Sequence, residues 1–271
     1  MLKRVITGLL LVGLMIGLLF LRIVDARFFA IVPYGLMIVG SVEMIRALKE
    51  KLTFLQKVVI MVFALVATPI YLFFGLKILG AITVTAVILM VFTIVVDFGK
   101  TTLESVAIGI FTLVYPNVFL FAMLLINDLT HSLVALLLTF GVAAMADTFA
   151  FFVGSFFKGP KLSPDISPKK TISGAVGGII GGVIGSVVIW ILFGKGMLTA
   201  QIAPEILLFI MIGIIGSLCA IFGDLVEGAI KRKIGVKDLG SIFPGHGGVL
   251  DRVDGIMINS LFIYVVFVFI G

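Results

Sequence analysis

Charge is scarce in this chain. Only 13% of its 271 residues are Asp, Glu, Lys or Arg, whereas 61% are hydrophobic. A soluble domain carries roughly a quarter charged residues, so an ordinary water-soluble globule is excluded. Disorder is excluded too, because it requires low hydrophobicity. Cysteine is nearly missing. The single Cys219, in the apolar stretch Ile-Gly-Ser-Leu-Cys-Ala-Ile, permits neither an internal disulfide nor a cysteine-held metal cluster. Linkers, low-complexity tracts and clear internal repeats are also lacking. What remains is a polytopic helical membrane protein, since open sheet edges cannot be satisfied in lipid.

A hydrocarbon core about 30 Å thick needs roughly 20 apolar residues per helix. Apolar runs between polar breaks give about nine spans: 5–24, 28–45, 57–76, 78–96, 105–126, 132–157, 172–194, 205–223 and 255–270. Pro116-Asn117 interrupts the fifth and is expected to kink or divide it. The first run follows Lys3-Arg4 but is long, has no small-residue cleavage site and is followed by more spans, so it reads as a retained helix. With the N-terminus in the cytoplasm, 16 of the 20 basic residues fall in inside segments. Arg22, Arg27, Lys77 and Lys195 alone fall outside. The positive-inside rule therefore predicts a cytoplasmic N-terminus and an external C-terminus.

Polarity is uneven along the chain. Residues 1–126 are almost pure lipid-facing sequence and are expected to be scaffold; the chemistry is expected in 127–271, within one integral unit. Asp147 lies inside an otherwise apolar helix, where a carboxylate costs about 3 kcal/mol. It is either a functional group or an acid near enough to the helix end to reach water. The loop 158–171 closes on Ser167-Pro168-Lys169-Lys170-Thr171 in front of a helix start. Lysines and helix N–H groups together suit phosphate, though a basic loop on an anionic membrane surface explains them as well. The following Gly174, Gly177, Gly178, Gly181, Gly182 and Gly185 form two four-residue ladders, the mark of close helix packing within one chain or between two.

The segment 223–254 holds ten charged residues and His246, one of two histidines; the other, His131, is given no role. Asp224 and Glu227 share a helix face where one span ends, and Asp251 and Asp254 do so where the last begins. Two acidic pairs at one membrane boundary can converge on a cation, and oxygen donors without cysteine or paired histidine favour Mg²⁺ over Zn²⁺. Between the pairs, Pro244-Gly245-His246-Gly247-Gly248 is a turn whose bare backbone can approach a ligand.

This segment resembles the signature of the CDP-diacylglycerol synthases. Lys231-Arg232, Lys237-Asp238, Gly240, Phe243-Pro244, His246-Gly247-Gly248, Asp251-Arg252 and Asp254 stand at the family's spacings. Upstream, Asp147-Thr148-Phe149-Ala150-Phe151 and Ser167-Pro168-Lys169-Lys170-Thr171 resemble further family features in the expected order. Two positions depart: Gly228 stands where the family has serine, and Ser173 where it has glutamate, so neither is given a catalytic role.

The resemblance implies transfer of the cytidylyl group of CTP to phosphatidic acid, giving CDP-diacylglycerol and pyrophosphate. The residues suit that reaction. A phosphate oxygen is already an anion and needs no strong base; the difficulty is bringing two polyanions together, which calls for cations. Asp224, Asp251 and Asp254 are expected to hold Mg²⁺, with K⁺ as a conceivable second cation. Lys169, Lys170, Lys231, Arg232, Lys237, His246 and Arg252 are expected to hold phosphates, with Thr171, Gly247 and Gly248 beside them and Asp147 lining the polar cavity. Membrane lipids and a second copy in a homodimer are the expected partners, with no nucleic acid. The expected location is a bacterial inner membrane with the site facing the cytoplasm. The competing reading is a cation-coupled transporter, which also uses intramembrane acids and glycine-packed helices. Asp251-Arg-Val-Asp254-Gly255 also opens like the CDP-alcohol phosphotransferase motif, but no later acid follows it.

Overall fold

The computed structural model describes residues 17, 22, 25–197, 202–242 and 247–270. Of the expected first span, 5–24, only Gly17 and Arg22 fall within them. After a 3₁₀ turn at Ala26–Ala30 come α1 (Ile31–Ala47), α2 (Phe54–Val96), α3 (Leu103–Asn127) and α4 (Ser132–Phe157). A small hairpin, β1 (Lys161–Ser163) and β2 (Ser167–Thr171), leads into α5 (Ile172–Ile189), which ends in a π-helical turn at Trp190–Gly194. The last helices are α6 (Ile202–Ile234) and α7 (Leu250–Ile270). Among the described residues the fold is all-α apart from that hairpin, and seven helical segments are long and apolar enough to cross a membrane; the protein is an integral membrane protein.

Seven differs from nine for two reasons. One expected span lies outside the described residues; two others, 57–76 and 78–96, form the single 43-residue α2. That helix is not straight. Gly75 breaks it with φ 79° and ψ −177°, a conformation open to glycine alone. Gln56, in its first turn, donates to Thr93 Oγ1 near its end at 3.3 Å. Those residues would stand about 55 Å apart in a straight helix, so the chain doubles back at Gly75 into two arms. Pro69, in the first arm, cannot donate to Leu65, and Tyr34 Oη supplies that carbonyl's hydrogen bond at 2.9 Å. Pro116 likewise fails to divide α3: Asn117 Nδ2 bridges Leu113 O at 2.9 Å and Ser41 Oγ at 3.0 Å.

The chain forms two compact units, Met1–Phe121 with Asp238–Arg252, and Ala122–Lys237 with Val253–Gly271. The first unit thus takes in a stretch of the charged segment that the sequence reading kept with the C-terminal half. In the second, the glycine ladders pack inside one chain. A Cβ on Gly177 would come 2.5 Å from Val153 Cβ, and one on Gly181 2.6 Å from Phe149 Cβ, so α4 lies against the bare face of α5. On the other ladder, Gly182 faces Ser217 and the Gly213 carbonyl of α6. Small residues thereby bring three helices to backbone distance.

Candidate active site

In the second unit a cavity of about 720 Å³ opens between α4, the β hairpin, α5 and α6. Its polar lining includes Asp147, Lys158, Lys161, Lys169, Lys170, Thr171 and Asp224. The loop expected before α5 is therefore a short antiparallel ladder, with Lys161 opposite Thr171, that holds its lysines on a frame. Thr171 is the N-cap of α5, its hydroxyl accepting from Gly174 N at 3.1 Å. Ser173 donates to the Lys158 carbonyl, which ties the end of α4 to the start of α5. Lys169 is exposed, whereas Lys170 is half-buried and forms an ion pair with Asp224.

Asp224 owes its place to a glycine crossing. Gly223 has no room for a Cβ against the Asp254 carbonyl, and a Cβ on Gly255 would meet Ala220 O at 3.2 Å and Asp224 Oδ1 at 3.4 Å. Gly223-Asp224 and Asp254-Gly255 thus cross backbone to backbone, which sets the two carboxylates side by side. Asp254 also meets the carboxyl group of Glu227, which is fully buried and pairs with Lys231 at 3.2 Å. Two carboxyl groups in contact need a shared proton or a cation between them. The donors are all hard oxygens, the type that suits Mg²⁺. Among the described residues no three acids, histidines or cysteines gather into a finished metal cage, so the fit is one of donor chemistry. Arg232, expected to hold phosphate, donates from Nε to Ile166 O at 3.3 Å and steadies the hairpin tip. Lys237 is exposed.

Asp251 sits in the first unit in different company. Its Oδ2 accepts from Leu239 N at 3.1 Å and Gly248 N at 2.7 Å, tying together both ends of the intervening loop. Gly247 has φ +83°, as the turn chemistry demands, and Arg252 is exposed. Gly248 is buried, and the group its bare Cα approaches is the carboxylate of Glu43. His246, Phe243, Pro244 and Gly245 lie outside the described residues.

Glu43 was not among the expected site residues. It is 1% exposed on α1 and accepts from Val249 N at 2.8 Å and Leu250 N at 3.0 Å. The signal for it was present, because a carboxylate within an apolar span deserves the suspicion given to Asp147. At one family departure the space is tight: a Cβ on Gly228 would come 3.1 Å from Ile166 Cγ2, so a serine there requires the hairpin tip to shift by a few tenths of an ångström.

Paired carboxylates and lysines beside a cavity between candidate membrane spans are the groups an enzyme of the phosphate-handling class requires. A model described as the Cytidylyltransferase family matches residues 2–270. The phosphatidate cytidylyltransferase of Bacillus subtilis is 31% identical over 97% of this chain and 96% of its own length. Shorter matches include the Helicobacter pylori phosphatidate cytidylyltransferase, 44% identical over 28% of this chain and 27% of that protein. The chloroplastic phosphatidate cytidylyltransferase 5 of Arabidopsis thaliana is 35% identical over 50% of this chain and 32% of that protein. The chain belongs to the cytidylyltransferase family, and within it to the CDP-diacylglycerol synthases.

Proposed function

We infer that the protein transfers the cytidylyl group of CTP to phosphatidic acid, releasing pyrophosphate and leaving CDP-diacylglycerol in the membrane. The family match along the whole chain carries this reading, and the lysine-lined cavity that ends on Asp224 supports it. A phosphate oxygen of phosphatidic acid attacks the α-phosphorus of CTP; the bond to the β-phosphate oxygen breaks, and pyrophosphate leaves with that electron pair. The protein's part is to hold two anions together. Lys158, Lys161, Lys169 and Lys170 supply positive charge around the cavity, and Asp147 and Thr171 give it polar walls. Asp224 and Asp254 would hold Mg²⁺, which neutralises triphosphate charge when bound. Asp251, Lys237, His246, Arg252, Gly247 and Gly248 enter on the sequence motif, as does K⁺ as a second cation. Lys231 and Arg232 keep their expected phosphate role only if they leave Glu227 and Ile166 on substrate binding. Nothing supports a transporter.

The two arms of α2 count as two passes, and with 5–24 as a first span the total is nine. The positive-inside bias supports a cytoplasmic N-terminus and cytoplasmic basic loops, on the side where CTP is, with the C-terminus outside. A bacterial inner membrane is the proposed setting. A homodimer would need a face other than the glycine ladders, because both pack inside one chain; a mass measurement in detergent tests it.

The test of activity is purified protein with cytosine-labelled CTP, phosphatidic acid and Mg²⁺. Organic-soluble label is the expected result, abolished by EDTA and restored by Mg²⁺. Label that stays in the aqueous phase under every condition overturns the assignment.

A further inference from the structure

We propose that Glu43 is a positioning residue for residues 247–252, a carboxylate from α1 that fixes the backbone at the start of α7 so that the signature residues there meet the nucleotide in one register. This rests on the reading above that the segment serves CTP.

Three independent observations carry it. First, the two oxygens of Glu43 are divided between two consecutive amides, Oε1 taking Val249 N at 2.8 Å and Oε2 taking Leu250 N at 3.0 Å. Those N–H groups belong to the opening turn of α7, where helix donors have no internal partner and negative charge is favoured. Second, Asp251 Oδ2 takes the neighbouring Gly248 N and, across the loop, Leu239 N. Two buried carboxylates thus hold Gly248, Val249 and Leu250 in sequence, and Asp251 itself belongs to the signature. Third, the glycines of the segment are shaped to Glu43. A Cβ on Gly248 would lie 2.5 Å from Glu43 Oε1, and Gly240 has still less room against the same carboxylate. Gly248, in the turn the sequence suggests is bare for a ligand, and Gly240 of the same motif are therefore bare for an internal acid about 200 residues upstream. Solubility and apolar packing do not explain a carboxyl side chain at 1% exposure there.

Gln has the shape of Glu but offers a single acceptor; its NH₂ would turn a donor toward one of the two amide donors. Glu43→Gln therefore separates charge and acceptor count from packing. Asp keeps both oxygens on a side chain one methylene shorter, so Glu43→Asp should recover part of the function, and Glu43→Ala none. Two measurements on full-length protein in detergent decide the matter. In hydrogen–deuterium exchange, Glu43→Gln and Glu43→Ala should speed exchange at Val249 and Leu250 by about 10- to 100-fold, the ratio set by losing one hydrogen bond to a carboxylate. Amides in the middle of α1 should keep their wild-type rates. In steady-state kinetics, Glu43→Gln should lower kcat/KM for CTP by up to about 100-fold, the effect of a small displacement at a distance. The KM for phosphatidic acid should not change.

Unchanged exchange at Val249 and Leu250 in Glu43→Ala overturns the clamp. Faster exchange with both KM values unchanged, and activity lost only with folded protein, overturns the positioning role and leaves a structural one. An inactive wild-type protein would overturn the activity assignment instead, while the exchange result would still decide the clamp.

Discussion

Two nests of acids, one in each unit, use the same side chain in opposite ways. Glu43 and Asp251 are bound to backbone amides that cannot move away without unwinding a loop. Asp224 and Glu227 are bound to the ends of Lys170 and Lys231, and Asp254 leans on Glu227. An amide partner is fixed by the fold; a lysine ammonium hangs on four rotatable bonds and can exchange its acid for a phosphate. The first nest therefore sets geometry. The second holds charge that a substrate or cation can redistribute. Counting acids near a membrane boundary does not separate these roles; their partners do.

The largest effect expected from this contrast is at the helix crossing. Asp224→Asn and Asp254→Asn each remove a carboxylate oxygen proposed to hold Mg²⁺ from the exchangeable nest and should reduce kcat by about 100- to 1000-fold, the range for losing one electrostatic contact to a transition state. Thermal stability should hold in Asp224→Asn, and should not fall in Asp254→Asn, where a neutral amide replaces one of two abutting carboxyl groups. Retained activity in either variant removes that carboxylate from the reaction. A fall in the unfolding temperature with the lost activity would move it to the fixed class.

The composition and basic-residue asymmetry made the membrane class legible, and the gapped motif made the family legible. Glycine spacing on α5 was enough to identify a packing face. Harder to read were features that depend on partners far apart in sequence. Nothing local to Gly75 distinguishes a hairpin from two helices joined by a loop; the Gln56–Thr93 bond does. Gly248 looks open to a ligand until Glu43 is brought against it, and nothing local marks Gly240 as shaped to the same carboxylate. Lys170 and Lys169 are adjacent and chemically alike, but only the strand register turns one of them onto Asp224.

That last pair gives the middle-sized prediction. Lys170→Ala strips Asp224 of its counterion and removes a cation from the cavity. The expected fall in kcat/KM is about 10- to 100-fold, equivalent to a charged hydrogen bond of ~1.5–3 kcal/mol. Lys169→Ala removes an exposed charge with weaker, screened influence, so its effect should be several-fold smaller and fade as salt is raised. Equal losses at every salt concentration would show that the cavity reads charge alone, with no distinction between its paired and unpaired lysines.

The smallest effect on catalysis is expected at a third acid, Glu205, which shares the bonding of the fixed nest but stands apart from the signature. It is fully buried and accepts from Trp190 Nε1 at 3.0 Å, Gly196 N at 2.7 Å and Met197 N at 3.0 Å, closing the turn after α5. Glu205→Ala leaves those donors without their acceptor and should cost about 1–3 kcal/mol for each one that water cannot reach. The unfolding temperature should drop while kcat and both KM values, corrected for folded enzyme, stay as in the wild type. Set beside Glu43→Ala, this variant asks whether an amide-bound carboxylate affects the reaction because it is buried or because of the segment it holds. A raised KM for CTP in Glu205→Ala would mean that any loosening of the fold weakens nucleotide binding, and the distinction between the two nests would lose its force. An unchanged KM, with stability lost as expected, would tie the effect at Glu43 to the amides of Val249 and Leu250.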